Sequence, residues 1–465
     1  MKKIVLEHLL VTGYAAEGKS LAKHEGKVIF MENAVPGDIV TVRLIKNKND
    51  WAEGQIIRFE GYSPERIQPF CKHFGVCGGC QWQMLPYEKQ LEYKQDQVLQ
   101  SMKRIGKLEF PEIRPILGSA RTTGYRNKLE YTFSNRRYLL KEELADPEIS
   151  SLQNAAGFHA RGIFDKVVDI DTCYLQDEPT NGIRKEVRRW AIENRVSFYD
   201  ILRHEGFLRN VQVRLCRTGE IMVNIVFGYL NEPLQNTLLR HLQKKFPAIT
   251  TLLYTINPKW NDSLNDLQPV IFYGKGYVIE KLEKFSFKIG PKSFFQTNTA
   301  QAERLYQVVR DLAALYGTET IYDLYCGTGS IGIFLSDLAK KVIGVELIPE
   351  AIADAKENAL LNKVYHAAFF AGDVTAICND DFLEANGRPD LIISDPPRAG
   401  MSDKLVAKLL EISAEKIVYV SCNPATQARD LNLLSEKYQI SAVQPIDMFP
   451  HTLHIENVTA LFLKH

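Results

Sequence analysis

The sequence predicts a multidomain α/β chain: a small all-β barrel first, a central α+β region next, and a doubly wound α/β domain last. Three observations predict it. Short apolar runs separated by turn signals fill residues 1–60, strands and helices mix without a regular period from about 113 to 280, and β and α patterns alternate from about 285 onward. A chain of 465 residues has room for roughly two to four domains of ordinary size. Boundaries are expected at 1–62, 63–284 and 285–465.

The barrel rests on the runs KIVLEHLLV, KVIFM, DIVTVRLI and WAEGQIIRF, punctuated by Thr12-Gly13, Glu25-Gly26 and Pro36-Gly37-Asp38. Five or so short strands at this spacing suggest a closed barrel, which removes exposed strand edges. Lys19, Lys23, Lys27, Lys46 and Lys48 decorate its turns and strand ends, and by themselves read as solvated surface. The opening MKKIVLEHLLV imitates a secretion signal until Glu7 and His8 interrupt the apolar run, and no apolar stretch reaches membrane-spanning length. A cytoplasmic protein is expected, a monomer without an obligate protein partner or a membrane.

Eight cysteines are too few for a disulfide scaffold. Cys71, Cys77 and Cys80 nevertheless cluster, while Cys173, Cys216, Cys326, Cys378 and Cys422 are scattered. In a reducing compartment such a cluster points to metal or catalysis. On spacing alone, zinc held by three cysteines and His73 stands level with an iron–sulfur group. A helical pattern follows in YEKQLEYKQDQVLQSMKRIG. GYRNKLEYTFS then reads as a strand, NVQVRLCRTGEIMVNIVFG as a hairpin turning at Thr218-Gly219, and NEPLQNTLLRHLQKKFP as a helix. Net charge is only +1, which excludes a uniformly basic coat. The near-cancellation conceals local basic stretches: residues 121–141 hold six Lys/Arg and one acid, and 181–217 hold nine and four.

The last domain reads as the strands TIYDLYC, KVIGVEL, HAAFFAGD, PDLIISDPP, KIVYVSCN, SAVQPIDMFP and NVTALFLK, with helical stretches between the earlier ones. Gly327 and Gly329 turn the chain after the first strand. Asp323 precedes them, Glu346 ends the second strand and Asp373 the third. Any one of these acids alone is an ordinary cap or solvated end. Together they suit S-adenosylmethionine better than a dinucleotide, because an adenosine without phosphate needs acceptors for hydroxyls and an amine, not a pyrophosphate cradle.

Ser394-Asp395-Pro396-Pro397 closes the fourth strand. The next residue is Arg398, not the aromatic that amino-methyltransferases use to stack a base, and the Pro-Cys pair of cytosine-C5 enzymes is absent. Cys422 ends the fifth strand, where a thiol would enter the ligand crevice. Uracil C5 is too weak a nucleophile to take a methyl group unaided, and thiolate addition at C6 makes it an enolate. The C5 proton must then leave, which needs a base; Met448-Phe-Pro-His451-Thr-Leu-His454-Ile-Glu456 supplies two histidines and a carboxylate.

With these residues laid out, the chain resembles the RNA uridine-C5 methyltransferase family over nearly its whole length. Glu17-Gly18, Gly26-Lys-Val-Ile-Phe30 and Pro36-Gly37 resemble a TRAM domain, an OB-like RNA-binding barrel, which moves the barrel lysines towards RNA contact. The resemblance implies a 4Fe-4S cluster on Cys71, Cys77, Cys80 and Cys173. It implies a Rossmann-like methyltransferase domain that binds S-adenosylmethionine through Gln296, Tyr325, Glu346, Asp373 and Asp395, with Cys422 as nucleophile and Glu456 as base. Leu453 stands where the family more often has a second proline. Barrel and cysteine cluster together imply 23S ribosomal RNA as substrate, with transfer RNA the alternative. A non-catalytic RNA-binding assembly factor is the reading from another class; it predicts a broken nucleophile or cofactor motif, and none is broken.

Overall fold

The computed structural model of the chain describes residues 4–15, 18–151 and 153–465, so the Met1–Lys3 start and the Glu17 of the barrel signature lie outside the described residues. Strands β1 (Val5–Tyr14), β2 (Ser20–His24), β3 (Lys27–Met31), β4 (Ile39–Asn47) and β5 (Trp51–Gly61) close a barrel in the order β1-β2-β3-β5-β4. Leu9, Val11, Ala22, Ile29, Val40, Val42 and Ala52 fill it. The Pro36-Gly37-Asp38 turn has a structural duty. Asp38 is fully buried, accepts from the Val35 and Ser63 amides, and pairs with Arg66, fastening the barrel to the segment that leaves it.

Helix α1 (Tyr87–Gln100) runs on into a π-helical turn, Ser101–Gly106, that ends at left-handed Lys107. The central region holds β6 (Lys128–Ser134), the short α2 (Lys141–Leu144) and α3 (Pro147–Ser151), β7 (Ala155–His159), β8 (Val167–Asp169), α4 (Thr180–Glu193), β9 (Leu208–Leu215), β10 (Ile221–Phe227), α5 (Glu232–Lys245), β11 (Thr251–Ile256) and β12 (Val270–Tyr273). Its seven strands form one sheet in the order β12-β11-β10-β9-β6-β7-β8. The expected hairpin is β9–β10, turning through left-handed Gly219. Strands β13 (Val278–Leu282) and β14 (Phe285–Ile289) form a separate hairpin.

The last unit is α6 (Thr299–Ala313), β15 (Thr320–Leu324), α7 (Ser330–Leu335), β16 (Lys341–Glu346), α8 (Pro349–Leu361), β17 (Ala367–Ala371), α9 (Val374–Ile377), α10 (Asp380–Asn386), β18 (Leu391–Ser394), α11 (Asp403–Ile412), β19 (Lys416–Ser421), α12 (Pro424–Leu434), β20 (Tyr438–Ile446) and β21 (Glu456–Leu463). The sheet order is β17-β16-β15-β18-β19-β21-β20, parallel except where β21 runs against both neighbours. Each of the seven apolar runs in this region contains one strand. They read as near-continuous apolar segments because a parallel sheet is covered on both faces. Strand order reverses between β15 and β18, which makes the carboxyl ends of those two strands the place for a ligand.

One segment belongs elsewhere than its neighbours in sequence. Residues 107–118 have no helix or strand of their own, yet they run along the outer edge of β20. Arg114 and Leu117 donate to Val443 and Pro445, Asp447 donates back to Leu117, and Leu117 pairs with Ile446 in parallel. Val98 and Met102 pack in the same apolar cluster as Ala428 and Leu431 of α12. Residues 87–118 therefore lie against the C-terminal sheet. Among the described residues no helix is long and apolar enough to cross a membrane.

Candidate active site and cysteine cavity

At the switch point the chain leaves β15 through left-handed Tyr325, Gly327 and Gly329 before α7 begins. Asp323 is fully buried; one carboxylate oxygen accepts the Gly332 amide at 2.8 Å and the other has no partner. Burial, with Asp395 and Glu346 adding to it, pushes its carboxyl up to about 7. Glu346 reaches back from the end of β16 to accept the Gly327 amide at 3.2 Å and the Ile348 amide at 3.0 Å, so its carboxylate fixes the glycine turn. Asp373 caps α9 through a single oxygen, accepting from Thr375 and Ala376. Tyr325 is half-buried, and burial raises its phenol.

The antiparallel register of β19 and β21 decides the reacting corner. Ser421 pairs with Asn457, so the next residues along each strand, Cys422 and Glu456, stand opposite each other. Asp395 follows β18 on the adjoining strand. Burial pushes the Cys422 thiol up to about 11; Glu456 and Asp395 add to this and Arg398 opposes it. Glu456, 6% exposed, is held well above the usual carboxylate range by burial and by Asp395, again against Arg398. Burial likewise lifts Asp395 to about 7. Two carboxyl groups and a thiol thus share one half-buried corner with one guanidinium beside it. An arriving cation would favour the ionised form of every acid there.

The loops are tied so that this corner keeps its shape. Asn423 caps α12 and donates to the Arg398 carbonyl, which Thr426 also engages. Arg398 lies 2.8 Å from a ring nitrogen of His454, and burial lowers that imidazole to about 4. His451 is buried between Gln90 and the cysteine segment, also lowered to about 4 by burial, and its backbone carbonyl accepts from Gln81 and Trp82. Burial thus disfavours the charged form of both imidazoles.

Gln296, Thr297 and Asn298 are held against the entry to β6 and the loop after β20 by residues that composition did not signal. The Asn127 backbone amide donates to Thr297, and its side chain donates to the Gln296 carbonyl (2.9 Å) and the Thr299 hydroxyl (2.8 Å). Asn298 caps α6 and donates to Met448, while Gln301 donates to Asp447. Asp447 in turn forms a fully buried ion pair with Lys94 of α1 at 2.7 Å and accepts from Tyr87 at 2.7 Å. The partners stand 353 residues apart, and a lysine inside YEKQLEYKQDQ reads as solvated; no sequence signal marks it.

The barrel touches the same loop. Leu453 packs against the apolar cluster of Val35, Trp82, Met84 and Leu85, as Tyr14 of the barrel does, and a Cβ on left-handed Gly18 would come within 2.9 Å of it. The leucine that replaces the family's second proline is therefore a contact between barrel and loop.

Cys71, Cys77, Cys80 and Cys173 converge on one cavity of about 200 Å³, walled by Phe74, Leu129, Phe158 and Ile170. All four are free thiols. Burial raises each of them, Cys77 to about 11 and Cys80 to about 12, and neighbouring thiols add to it at Cys77, Cys80 and Cys173. His73 accepts the Asp171 amide on Nε2, which engages that nitrogen in the fold. Among the described residues, no three His, Cys, Asp or Glu side chains stand together as a ready metal site. The donor set nevertheless suits a thiolate-bound group: four thiols line one cavity with an apolar wall and the Arg126 guanidinium.

A doubly wound sheet closed by an antiparallel seventh strand, acids on successive strand ends and a thiol facing a carboxylate define a cofactor-dependent group-transfer enzyme with an added small barrel. A profile described as tRNA (Uracil-5-)-methyltransferase matches residues 268–465, and a TRAM domain profile matches residues 7–57. An "uncharacterized RNA methyltransferase" of Bacteroides thetaiotaomicron is 51% identical over 453 residues, covering 97% of this chain and 100% of its own. One of Porphyromonas gingivalis is 46% identical over 458 residues, covering 97% and 98%. The crystal structure of the Pyrococcus abyssi tRNA (uracil-54, C5)-methyltransferase in complex with S-adenosyl-L-homocysteine superposes with a TM-score of 0.75 at 28% identity, covering 98% of this chain and 100% of that one. The chain belongs to the RNA (uracil-5-) methyltransferase family, whose methyl donor is S-adenosylmethionine.

Proposed function

We propose that the protein methylates C5 of a uridine in 23S ribosomal RNA by way of a covalent enzyme–RNA adduct. The observation that carries this is the register that sets Cys422, just past the carboxyl end of β19, opposite Glu456 at the start of β21. Cys422, as thiolate, bonds to C6; the ring electrons move to make C5 nucleophilic; C5 takes the methyl from the sulfonium, which leaves as a neutral thioether. Glu456 removes the C5 proton, the C6–sulfur bond breaks, and the thiolate is regenerated. The raised thiol and carboxyl become usable because Arg398 already favours both anions and the sulfonium adds a second positive charge.

Glu346, beside the glycine turn, suits the ribose hydroxyls. Asp373 keeps one oxygen off the α9 cap for an adenine amine, Tyr325 stands near Asp373 and Glu346, and we assign Gln296 and Asp395 to the same cofactor on the family resemblance. We divide the chain into a TRAM barrel (1–62), a central RNA-binding region (63–284) and the methyltransferase domain (285–465). Cys71, Cys77, Cys80 and Cys173 would hold a 4Fe-4S cluster, and zinc is the competing occupant of the same thiols. When bound, such a group would crosslink the cysteine segment to the Asp171–Cys173 strand exit; methyl transfer requires no redox step.

Barrel and cysteine quartet together favour ribosomal RNA, whereas the fold neighbour acts on transfer RNA, which makes tRNA the second reading. Mapping 5-methyluridine in 23S rRNA and tRNA from a strain deleted for the protein tests this: loss from tRNA alone would refute the ribosomal reading. Cys422→Ala that still methylated RNA from labelled cofactor would refute the adduct, and a wild-type protein that methylates neither RNA would leave an RNA-binding factor.

A further inference from the structure

A buried tyrosine and a buried arginine stand behind Cys173, at one side of the cysteine cavity. Tyr131 on β6 is fully buried, and its hydroxyl faces the Cys173 thiol and the Arg184 guanidinium. Arg184 on α4 is 1% exposed. Its terminal nitrogens donate to two backbone carbonyls, Ala156 at 3.1 Å and Asp171 at 2.7 Å, while Nε donates to nothing. The nearby carboxylates are engaged elsewhere: Asp171 with Lys72 and Lys185, Asp169 with Arg188. The guanidinium stacks over the Tyr131 ring, 5.2 Å from its centroid. Arg126, which lines the cavity itself, also has a buried Nε without a partner.

A guanidinium sealed from water without a contacting carboxylate is costly, and native interiors satisfy nearly all of their buried donors. Arg126 lines the cavity, and Tyr131 and Arg184 stand behind Cys173, so an occupant that brings negative charge and acceptors meets donors on that side. Four thiolates around a divalent ion, or around an oxidised 4Fe-4S core, form a net dianion in either case.

We propose that Arg184 and Tyr131 are the built-in counter-charge of the four-cysteine site: the guanidinium offsets the net negative charge of the loaded thiolates, and the Tyr131 hydroxyl donates to the Cys173 sulfur. This rests on the reading that these cysteines bind a metal group. On loading, each S–H bond is replaced by a sulfur–metal bond, four protons go to solvent, and no electron is transferred.

The test uses the full-length chain, stripped of metal under anaerobic conditions, as wild type, Tyr131→Phe, Arg184→Gln and Arg184→Lys. Cadmium titration is followed by its thiolate charge-transfer absorbance; iron content and midpoint potential are measured after reconstitution with iron and sulfide. Wild type is expected to bind cadmium and iron. Tyr131→Phe and Arg184→Gln are expected to bind cadmium about 10- to 100-fold more weakly, with the midpoint potential moved to more negative values. Arg184→Lys should recover most of the affinity. Metal-free Tyr131→Phe should unfold at a urea concentration close to that for wild type, so that its loss of cadmium affinity is not a loss of fold. Unchanged cadmium affinity and potential in both neutral variants would overturn the counter-charge and leave the metal reading standing, as would equal losses in the lysine and glutamine variants. A wild type that binds neither cadmium nor iron would overturn both.

Discussion

Replacing Lys94 with methionine removes one member of an ion pair that water does not reach. Both side chains are fully buried, and the lysine ammonium contacts Asp447 at 2.7 Å and the Phe449 carbonyl at 3.3 Å. Methionine has nearly the same volume, so no cavity opens and the effect is electrostatic. Breaking a buried pair by deleting one partner costs about 3–5 kcal/mol. Asp447 retains two donors, Tyr87 at 2.7 Å and the Phe449 amide at 3.0 Å, which places Lys94→Met near the lower end, about 3 kcal/mol. Asp447→Asn should cost at least as much, because Lys94 then has only uncharged acceptors. The double variant should be less destabilised than the sum of the two, by about 1–3 kcal/mol. Urea unfolding of the four proteins reads these values, and single-turnover methylation reads the loop: a displacement of about 1 Å at Glu456 predicts roughly a 100-fold loss of rate. Single variants within about 0.5 kcal/mol of wild type, or strict additivity in the double, would refute the account of this pair as the clamp on the 447–456 loop.

Glu456→Gln should accumulate the covalent protein–RNA adduct, seen as a retarded band in a denaturing gel, since the C5 proton then has no acceptor; turnover at the wild-type rate would remove Glu456 from that role. Asp323 has a folded value raised to about 7, so its contribution to stability is complete below about pH 4 and is lost as pH rises through 7. Asp323→Asn should abolish up to about 1.4 kcal/mol per pH unit of that decline between pH 4 and 7, and an unchanged slope in urea midpoints against pH would contradict its burial as a neutral acid. Gly18→Val forces a side chain into Leu453 from a left-handed backbone, and should lower methylation several-fold with S-adenosylhomocysteine binding by calorimetry intact; loss of that binding as well would mean a wider collapse than the barrel contact.

Much of this was legible along the chain. Runs such as KVIGVE and LIIS announce a sheet buried on both faces, and the strand ends bring Glu346, Asp373, Asp395 and Cys422 to one edge of it. Strand β2, Ser-Leu-Ala-Lys-His, hardly differs from a turn because the barrel needs only Ala22 and Ser20 buried in it. The support of the site was hidden for another reason. Lys94, Asp447, Arg184 and Tyr131 are residue types that normally sit at the surface or carry no signal, and their partners come from distant parts of the sequence. Local periodicity reports which face is dry, not which buried charge meets which. Asn127 was visible in the Gly-Tyr-Arg-Asn run as a strand residue, but not as the anchor of Gln296.

The extended stretch at 107–118, laid along β20, also sets an order of events during synthesis. A ribosome delivers this stretch more than 300 residues before β20, so the outer backbone of the catalytic sheet finds its cover already present when it forms. A fragment starting at the methyltransferase boundary would emerge with that backbone bare, a template for pairing with another chain. The three-part division is thus one of architecture more than of autonomy: the enzymatic end of the polypeptide is finished by a piece translated long before it.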